Sequence, residues 1–111
     1  MTTISKLNSV VTLINTFTVE PEQQAELVRV LDEATEQVMR HIDGFVSANI
    51  HASLDGEHVA NYAQWRDEAA FRAMLADPRA KEHMGRASKL ARSFDPILYT
   101  VSAIHDQPEG Q

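Results

Sequence analysis

Apolar and polar residues alternate in four stretches of the chain, and this period of two predicts four β-strands. The first strand is expected over Val10–Val19, where β-branched and aromatic residues are concentrated. The others are expected over Phe45–Ser53, His58–Trp65 and Ile97–His105. An Asp-Gly pair at 55–56 is a strong hairpin signal, so the second and third strands should be antiparallel neighbours.

Three stretches between the strands repeat their apolar residues with the period of an α-helix. The first runs from Pro21 to about Arg40 and is followed by Gly44, which can adopt the positive φ of a helix stop. The second is expected over Asp67–Ala76, and the third begins at Pro78 and ends before the Asp-Pro pair at 95–96. The order β-α-β-β-α-α-β predicts an α+β, ferredoxin-like split βαβ fold: a four-stranded antiparallel sheet, order 4-1-3-2, with helices on one face.

Apolar residues occur on both faces of the predicted strands, although the helices of this fold cover only one face of the sheet. The length of 111 residues fits a single domain over 1–111, with its core at about 10–105 and flexible tails. A second copy is the available cover for the other face, so a homodimer is expected. The polar, turn-rich tail DQPEGQ is expected to be loose or exchanged onto the partner.

Charge and composition exclude several classes of function. Lys and Arg number 10 against 16 Asp and Glu, a net charge of −6, which argues against nucleic acid and anionic membranes as partners. Cysteine is absent, so no thiol nucleophile or thiolate metal site is available, and a cytoplasmic protein is expected. The five histidines lack the spacing of metal ligands, so no metal is expected.

The candidate chemistry lies in two amides and an indole on apolar strand faces. Alternation places Asn61 and Trp65 on one face of the third strand, and Asn15 on the more apolar face of the first. A buried amide without a hydrogen-bond partner costs roughly 1 to 3 kcal/mol, so each must bind either neighbouring backbone or a ligand. An apolar interior with amides, aromatic rings and histidines suits a flat, oxygenated organic molecule.

The segments INTFTVEPE, GFVSANIHASLDG and NYAQW followed by DEAAFRAML resemble the antibiotic biosynthesis monooxygenase domain over about 10–105. The resemblance implies a dimeric α/β barrel. It is greatest to the branch that oxidises anthrones to quinones with O₂ as co-substrate and with no metal or flavin cofactor. In that branch the matching Asn and Trp residues lie in the substrate pocket, which implies catalytic roles for Asn15, Asn61 and Trp65.

The chemistry of an anthrone agrees with that implication, because its acidic methylene gives an electron-rich enolate that can react with O₂ unaided. Asn61 and Asn15 would donate amide N–H groups to the oxyanion, and Trp65 would supply π contact and an indole N–H. The proton acceptor would be His83 or His51, since only histidine titrates near neutral pH without help. The further candidate substrate contacts are apolar or aromatic: Phe17, Phe71, Met74 and Tyr99.

Two alternatives remain open at this point. Haem-degrading enzymes share the fold, but their signature adds a Trp and a His on the helices after strand three. Here Met74 stands at that Trp position and His83 falls one residue short of the expected separation. A non-catalytic dimeric binding protein is the other alternative, favoured if Phe17, Phe71 and Met74 fill the pocket.

Overall fold

A computed structural model describes residues 2–6 and 10–108, in which one antiparallel sheet of order β2-β3-β1-β4 packs against three α-helices. The elements are β1 (Val11–Val19), α1 (Gln24–Gln37), β2 (Phe45–Ala52), β3 (His58–Trp65), α2 (Glu68–Ala76), α3 (Pro78–Leu90) and β4 (Ala91–Tyr99), with short 3-10 turns at Pro21–Gln23 and Met39–His41. The predicted α+β class, ferredoxin-like topology and strand order are confirmed.

The fourth strand begins six residues earlier than predicted, directly after α3, and it contains the Asp-Pro pair that was expected to break a helix. Pro96 is tolerated because β4 lies at the edge of the sheet, where a missing N–H is not needed on the outer side. Opposite Pro96 is Asn15, and the neighbouring Asp95 N–H donates to the Asn15 Oδ1 atom at 3.2 Å. A fourth strand is present, but its predicted bounds, Ile97–His105, were wrong, since only residues 97–99 of that range belong to β4. Of the tail DQPEGQ, residues 109–111 lie outside the described ranges.

The helix-facing side of the sheet carries the core in two clusters. One is built around Leu13 and Ala63, and the other around Phe17 and Val59. Leu13 opposes Ala63 across β1 and β3, and Phe17 opposes Val59. The pair between them in the register is Asn15 and Asn61. Two amides thus interrupt the apolar layer at its middle.

The opposite face of the sheet is partly covered by the chain's own N-terminal residues. Gln64 Nε2 donates to the Thr3 carbonyl at 2.7 Å, and Asn49 Nδ2 donates to Thr2 Oγ1 at 2.6 Å. On the β4 side of the same face, Ile97 and Tyr99 remain 41% and 44% exposed. The described residues therefore cover this face only in part.

Two local features hold the end of β3, where Trp65 lies. Gly44 has φ +90°, and its carbonyl accepts a hydrogen bond from the Arg66 N–H at 2.7 Å. Asp67 caps α2, since its Oδ1 accepts from the Ala70 N–H at 2.8 Å. That hydrogen bond holds the pKa of the Asp67 carboxyl below its usual value. The backbone on both sides of the indole is thereby fixed.

Candidate active site

A cavity of about 280 Å³ lies between the sheet and the helices. The polar and aromatic side chains predicted from the strands meet there: the cavity is lined by Asn15, Phe17, Asn61 and Trp65. Met74 of α2 and His83 of α3 also line it. The three residues that the family resemblance pointed to therefore share one cavity on one side of the sheet.

The two amides differ in their hydrogen bonding. Asn15 is 7% exposed, and its Oδ1 is occupied by the Asp95 N–H, which leaves its NH₂ group as the available donor. The Oδ1 atom of Asn61 is buried and has no hydrogen-bond partner among the described residues. A buried carbonyl oxygen without a partner costs roughly 1 to 3 kcal/mol, which a hydroxyl group of a bound molecule would offset. The paired amide is fixed by backbone, and the unpaired one is free to bind.

Trp65 is held in place by aromatic rings. Its ring meets Phe45 edge to face with the centroids 5.5 Å apart, and Phe71 at 6.5 Å with an interplanar angle of 68°. Such pairs contribute about 0.5 to 1.5 kcal/mol beyond area burial. Phe71 does not line the cavity. It contacts Trp65, so its predicted role as a direct substrate contact gives way to a supporting one.

Two predicted contacts lie away from the cavity. His51 opposes Ala60 across β2 and β3, next to the pair formed by Ile50 and Asn61. Because neighbouring strand residues point to opposite faces, His51 faces the other side of the sheet, where it is exposed. Tyr99 opposes Thr12 on that same side. Neither side chain reaches the cavity that holds the amides.

Part of the lining was not anticipated from the sequence. Helix α1 contributes Leu31 and Thr35, and Met39 follows one turn later, so the three occur at intervals of four residues. That helical spacing could have indicated residues of the cavity lining, but it is equally typical of ordinary core residues. Phe94 of β4 also lines the cavity and lies 6.0 Å from Phe17, measured between ring centroids. It was missed because the strand boundary was misplaced.

Gly85 lies in the interior of α3, lines the cavity, and has no heavy atom within 4 Å of the position that a Cβ would take. Glycine inside a helix costs about 1 kcal/mol relative to alanine. We therefore expect Gly85→Ala to raise the free energy of unfolding by about 1 kcal/mol in urea titration. Gly85→Leu should instead raise the KM for a polycyclic substrate by roughly 10-fold or more, because the side chain occupies binding space.

Lys89→Leu is the matched control, since it adds the same side chain to an exposed position of α3. An unchanged KM in Gly85→Leu would show that the space beside Gly85 is not used by the substrate.

Metal-ligand clusters and membrane-spanning helices are both absent from the described part of the chain. Within residues 2–6 and 10–108, no three His, Asp or Glu side chains are grouped as metal ligands would be. Over the same ranges no helix has the length and apolar character required to cross a membrane. The cytoplasmic location expected from the sequence stays a prediction.

The sequence profile of the antibiotic biosynthesis monooxygenase family matches residues 10–86. The chain therefore belongs to the antibiotic biosynthesis monooxygenase family. It is 52% identical over 113 residues to tetracenomycin-F1 monooxygenase from Streptomyces glaucescens, and the match covers 99% of each protein.

Two solved structures of Streptomyces oxygenases share the fold. A monooxygenase from the gene ActVA-Orf6 of Streptomyces coelicolor, in complex with nanaomycin D, is 33% identical with a TM-score of 0.80, over 88% of this chain and 92% of that one. SnoaB from Streptomyces nogalater, described as a cofactor-independent oxygenase and solved as an Asn-to-Ala variant, is 26% identical with a TM-score of 0.77, over 89% of this chain and 99% of that one. The predicted family, fold and oxygenase class are confirmed.

Proposed function

We propose that the protein is a cofactor-independent monooxygenase that oxidises a polycyclic anthrone of aromatic polyketide biosynthesis to a quinone. The observation that carries the proposal is the convergence of two amides and an indole on one otherwise apolar cavity. The relative that acts on tetracenomycin F1 and the likeness to SnoaB support both the substrate class and the independence of cofactors. The cavity has the size and lining of a small-molecule site.

The first chemical step is loss of a proton from the anthrone methylene, which leaves its electron pair delocalised onto the carbonyl oxygen as an enolate. The NH₂ groups of Asn15 and Asn61 donate to that oxygen, which gains negative charge as the proton leaves. Donors fixed in a dry cavity stabilise such charge more than water does, because they need no reorganisation. The free Oδ1 of Asn61 accepts from a phenolic hydroxyl of the same substrate.

The second step is the reaction of the enolate with O₂. The enolate gives up an electron, the resulting radicals combine, and a peroxide forms on the former methylene carbon. Loss of water from the peroxide leaves a carbonyl, so one oxygen atom stays on the carbon and the other leaves with the two methylene hydrogens. Trp65 places its indole against the reacting ring system, where its N–H donates to the peroxide oxygen.

The test is turnover of an anthrone under ¹⁸O₂, followed by quinone absorbance, oxygen consumption and mass spectrometry. We expect one O₂ consumed and one ¹⁸O atom incorporated for each quinone formed, at a rate that a metal chelator leaves unchanged. Release of hydrogen peroxide without ¹⁸O incorporation would contradict the proposal. A reaction without protein corrects for spontaneous oxidation of the anthrone.

The alternatives are less well supported. Phe17 and Met74 line the cavity without filling it, and Phe71 packs against Trp65, so the filled pocket expected of a non-catalytic protein is not formed. Haem degradation would require a haem complex. A stoichiometric shift of the Soret band on addition of haem, with no anthrone turnover, would favour that alternative instead.

We also propose a homodimer in which the sheets of the two copies face each other. Ile97 and Tyr99 are large, exposed and on the face away from the helices, which supports an interface there. Analytical ultracentrifugation should give twice the chain mass of 12.4 kDa at micromolar concentration. Ile97→Glu should shift the protein towards single chains, whereas Leu54→Glu in the exposed hairpin should not. A parent protein that sediments only as single chains would refute the dimer.

A further inference from the structure

We propose that His83 is the general base that removes the methylene proton of the substrate, an inference that rests on the proposed function. His83 is the only titratable side chain that lines the cavity in the described part of the chain. The other lining side chains are amides, hydroxyls, thioethers, hydrocarbons and the indole of Trp65. Removal of a proton from carbon requires a side chain that can accept it, and a ring nitrogen of histidine is such an acceptor.

The hydrogen bonding of His83 agrees with this role. Its Nδ1 atom is buried and has no hydrogen-bond partner among the described residues. Asn61 Oδ1 is the other buried side-chain atom of that kind, and it belongs to the same cavity. Buried polar atoms are ordinarily paired within the protein. An unpaired ring nitrogen and an unpaired amide oxygen in the lining of one cavity are expected where a substrate supplies the partners.

Helix α3 holds the histidine in position. Ala80 and Ala87, one turn before and one turn after His83, are 0% and 2% exposed, so this face of the helix packs closely. The small side chains bring the helix near the sheet, and His83 projects from the same face into the cavity. A base held on a packed helix loses little conformational freedom when substrate binds.

Other groups near the cavity do not compete for the proton. The hydroxyls of Thr35 and Ser88 donate to the carbonyls one turn earlier, at 2.9 Å each, and do not titrate near neutral pH. No charged side chain of β1, β3, α1, α2 or β4 lines the cavity. On α3 itself Glu82 is exposed and Arg86 pairs with Glu33 of α1 at 3.4 Å.

The proposed step balances in atoms and electrons. The methylene C–H bond breaks, its electron pair remains on the substrate as the enolate, and the proton binds Nδ1 to give an imidazolium. That proton returns to the peroxide oxygen and leaves in the water molecule. The histidine is therefore neutral again at the end of each cycle and needs no further reactant.

His83→Gln keeps a polar side chain of similar reach but has no basic nitrogen. We expect kcat to fall by roughly 100- to 10,000-fold, the range for loss of a general base, with KM changed by less than about threefold. In the parent enzyme kcat/KM should rise with pH at values below those at which the free anthrone ionises, because the neutral imidazole is the active form. This lower limb should be absent from the variant, whose rate should rise only as the anthrone itself ionises. Imidazole in the buffer should partly restore His83→Ala.

His51→Gln is the matched control, since it makes the same replacement on the far face of the sheet, and it should retain the parent kcat.

At a pH where the anthrone is already ionised, His83→Gln should approach the parent rate, whereas Asn61→Ala should not. Recovery of the rate at that pH would show that the variant lacks only the base. If instead the oxygenase proposal is wrong, no enzymatic quinone should form at any pH. Below the pH at which the free anthrone ionises, a His83→Gln kcat within threefold of the parent, or persistence of the lower pH limb in the variant, would overturn the assignment. If the variants fail to fold, absence of the limb from the parent's own profile overturns it equally.

Discussion

Asn61→Ala is expected to slow anthrone oxidation by roughly 10- to 1000-fold. The lower limit corresponds to loss of one ordinary hydrogen bond, and the upper limit to loss of one hydrogen-bond donor to the oxyanion. The loss should appear in kcat more than in KM, because the oxyanion develops only as the proton leaves. Steady-state kinetics by quinone absorbance measures both constants.

The stability of the same variant separates a catalytic role from a structural one. Within the described ranges, the Oδ1 atom of Asn61 is buried without a partner, so its removal relieves a desolvation cost rather than breaking a hydrogen bond. We expect the free energy of unfolding to change by less than about 1 kcal/mol, against about 2 to 5 kcal/mol for truncation of the fully buried Leu27 to alanine. Parent-like turnover in Asn61→Ala would remove this residue from the proposed site.

Trp65→Phe is the companion variant, because it keeps an aromatic face between Phe45 and Phe71 and loses the indole N–H. A rate equal to that of the parent would assign Trp65 to packing alone. A fall in kcat at constant stability would assign it a donor role. Together, the variants at Asn61 and Trp65 distinguish the loss of a hydrogen-bond donor from a change in the shape of the cavity.

Gly44→Ala is expected to lower the free energy of unfolding by roughly 2 to 5 kcal/mol. Its φ of +90° disfavours any residue with a side chain, by about 1 to 2 kcal/mol. A Cβ at this position would also overlap the Cβ of Ala70 on α2, and such overpacking costs about 1 to 3 kcal/mol. Urea unfolding followed by tryptophan fluorescence measures the change directly.

Gly56→Ala is the matched control, since Gly56 also has a positive φ, of +80°, but the nearest atom to its added Cβ is Pro21 Cβ at 3.9 Å. The difference between the two variants isolates the overlap with Ala70. Equal destabilisation of both would show that α2 moves away at little cost. Movement of α2 would also disturb the ring stack around Trp65, so the activity of Gly44→Ala should fall with its stability.

The sequence was sufficient for the first three strands because alternation and the Asp-Gly hairpin fix both these strands and their faces. Asn15 and Asn61 were placed on apolar faces by that alternation, and the 4-1-3-2 order made β1 and β3 neighbours. Convergence of the two amides on one cavity follows from those two facts. The alternation of apolar and polar side chains extends along the whole of β1 and β3, so a single residue does not disrupt it.

The bounds of the fourth strand and part of the cavity lining could not be predicted without tertiary information. The local sequence predicts that Pro96 breaks a helix. In the structure Pro96 lies on the edge strand β4, where its missing N–H is harmless, and no local pattern indicates that position. His51 was a candidate because its chemistry fits, yet the cavity face of β2 is decided by how the hairpin packs against α1. Leu31 and Thr35 of α1 share the spacing of core residues. Only the packed structure distinguishes a cavity wall from a filled core.

The two amides belong to opposed positions of adjacent strands and not to mobile loops. Their separation is set by the spacing of the β-ladder, so the proposed donors are in place before any substrate arrives. If the two amides act as proposed, the catalytic geometry depends directly on the hydrogen bonds of the sheet. Heat should therefore abolish turnover and the β-sheet signal in circular dichroism at the same temperature, with no inactive but folded form between them.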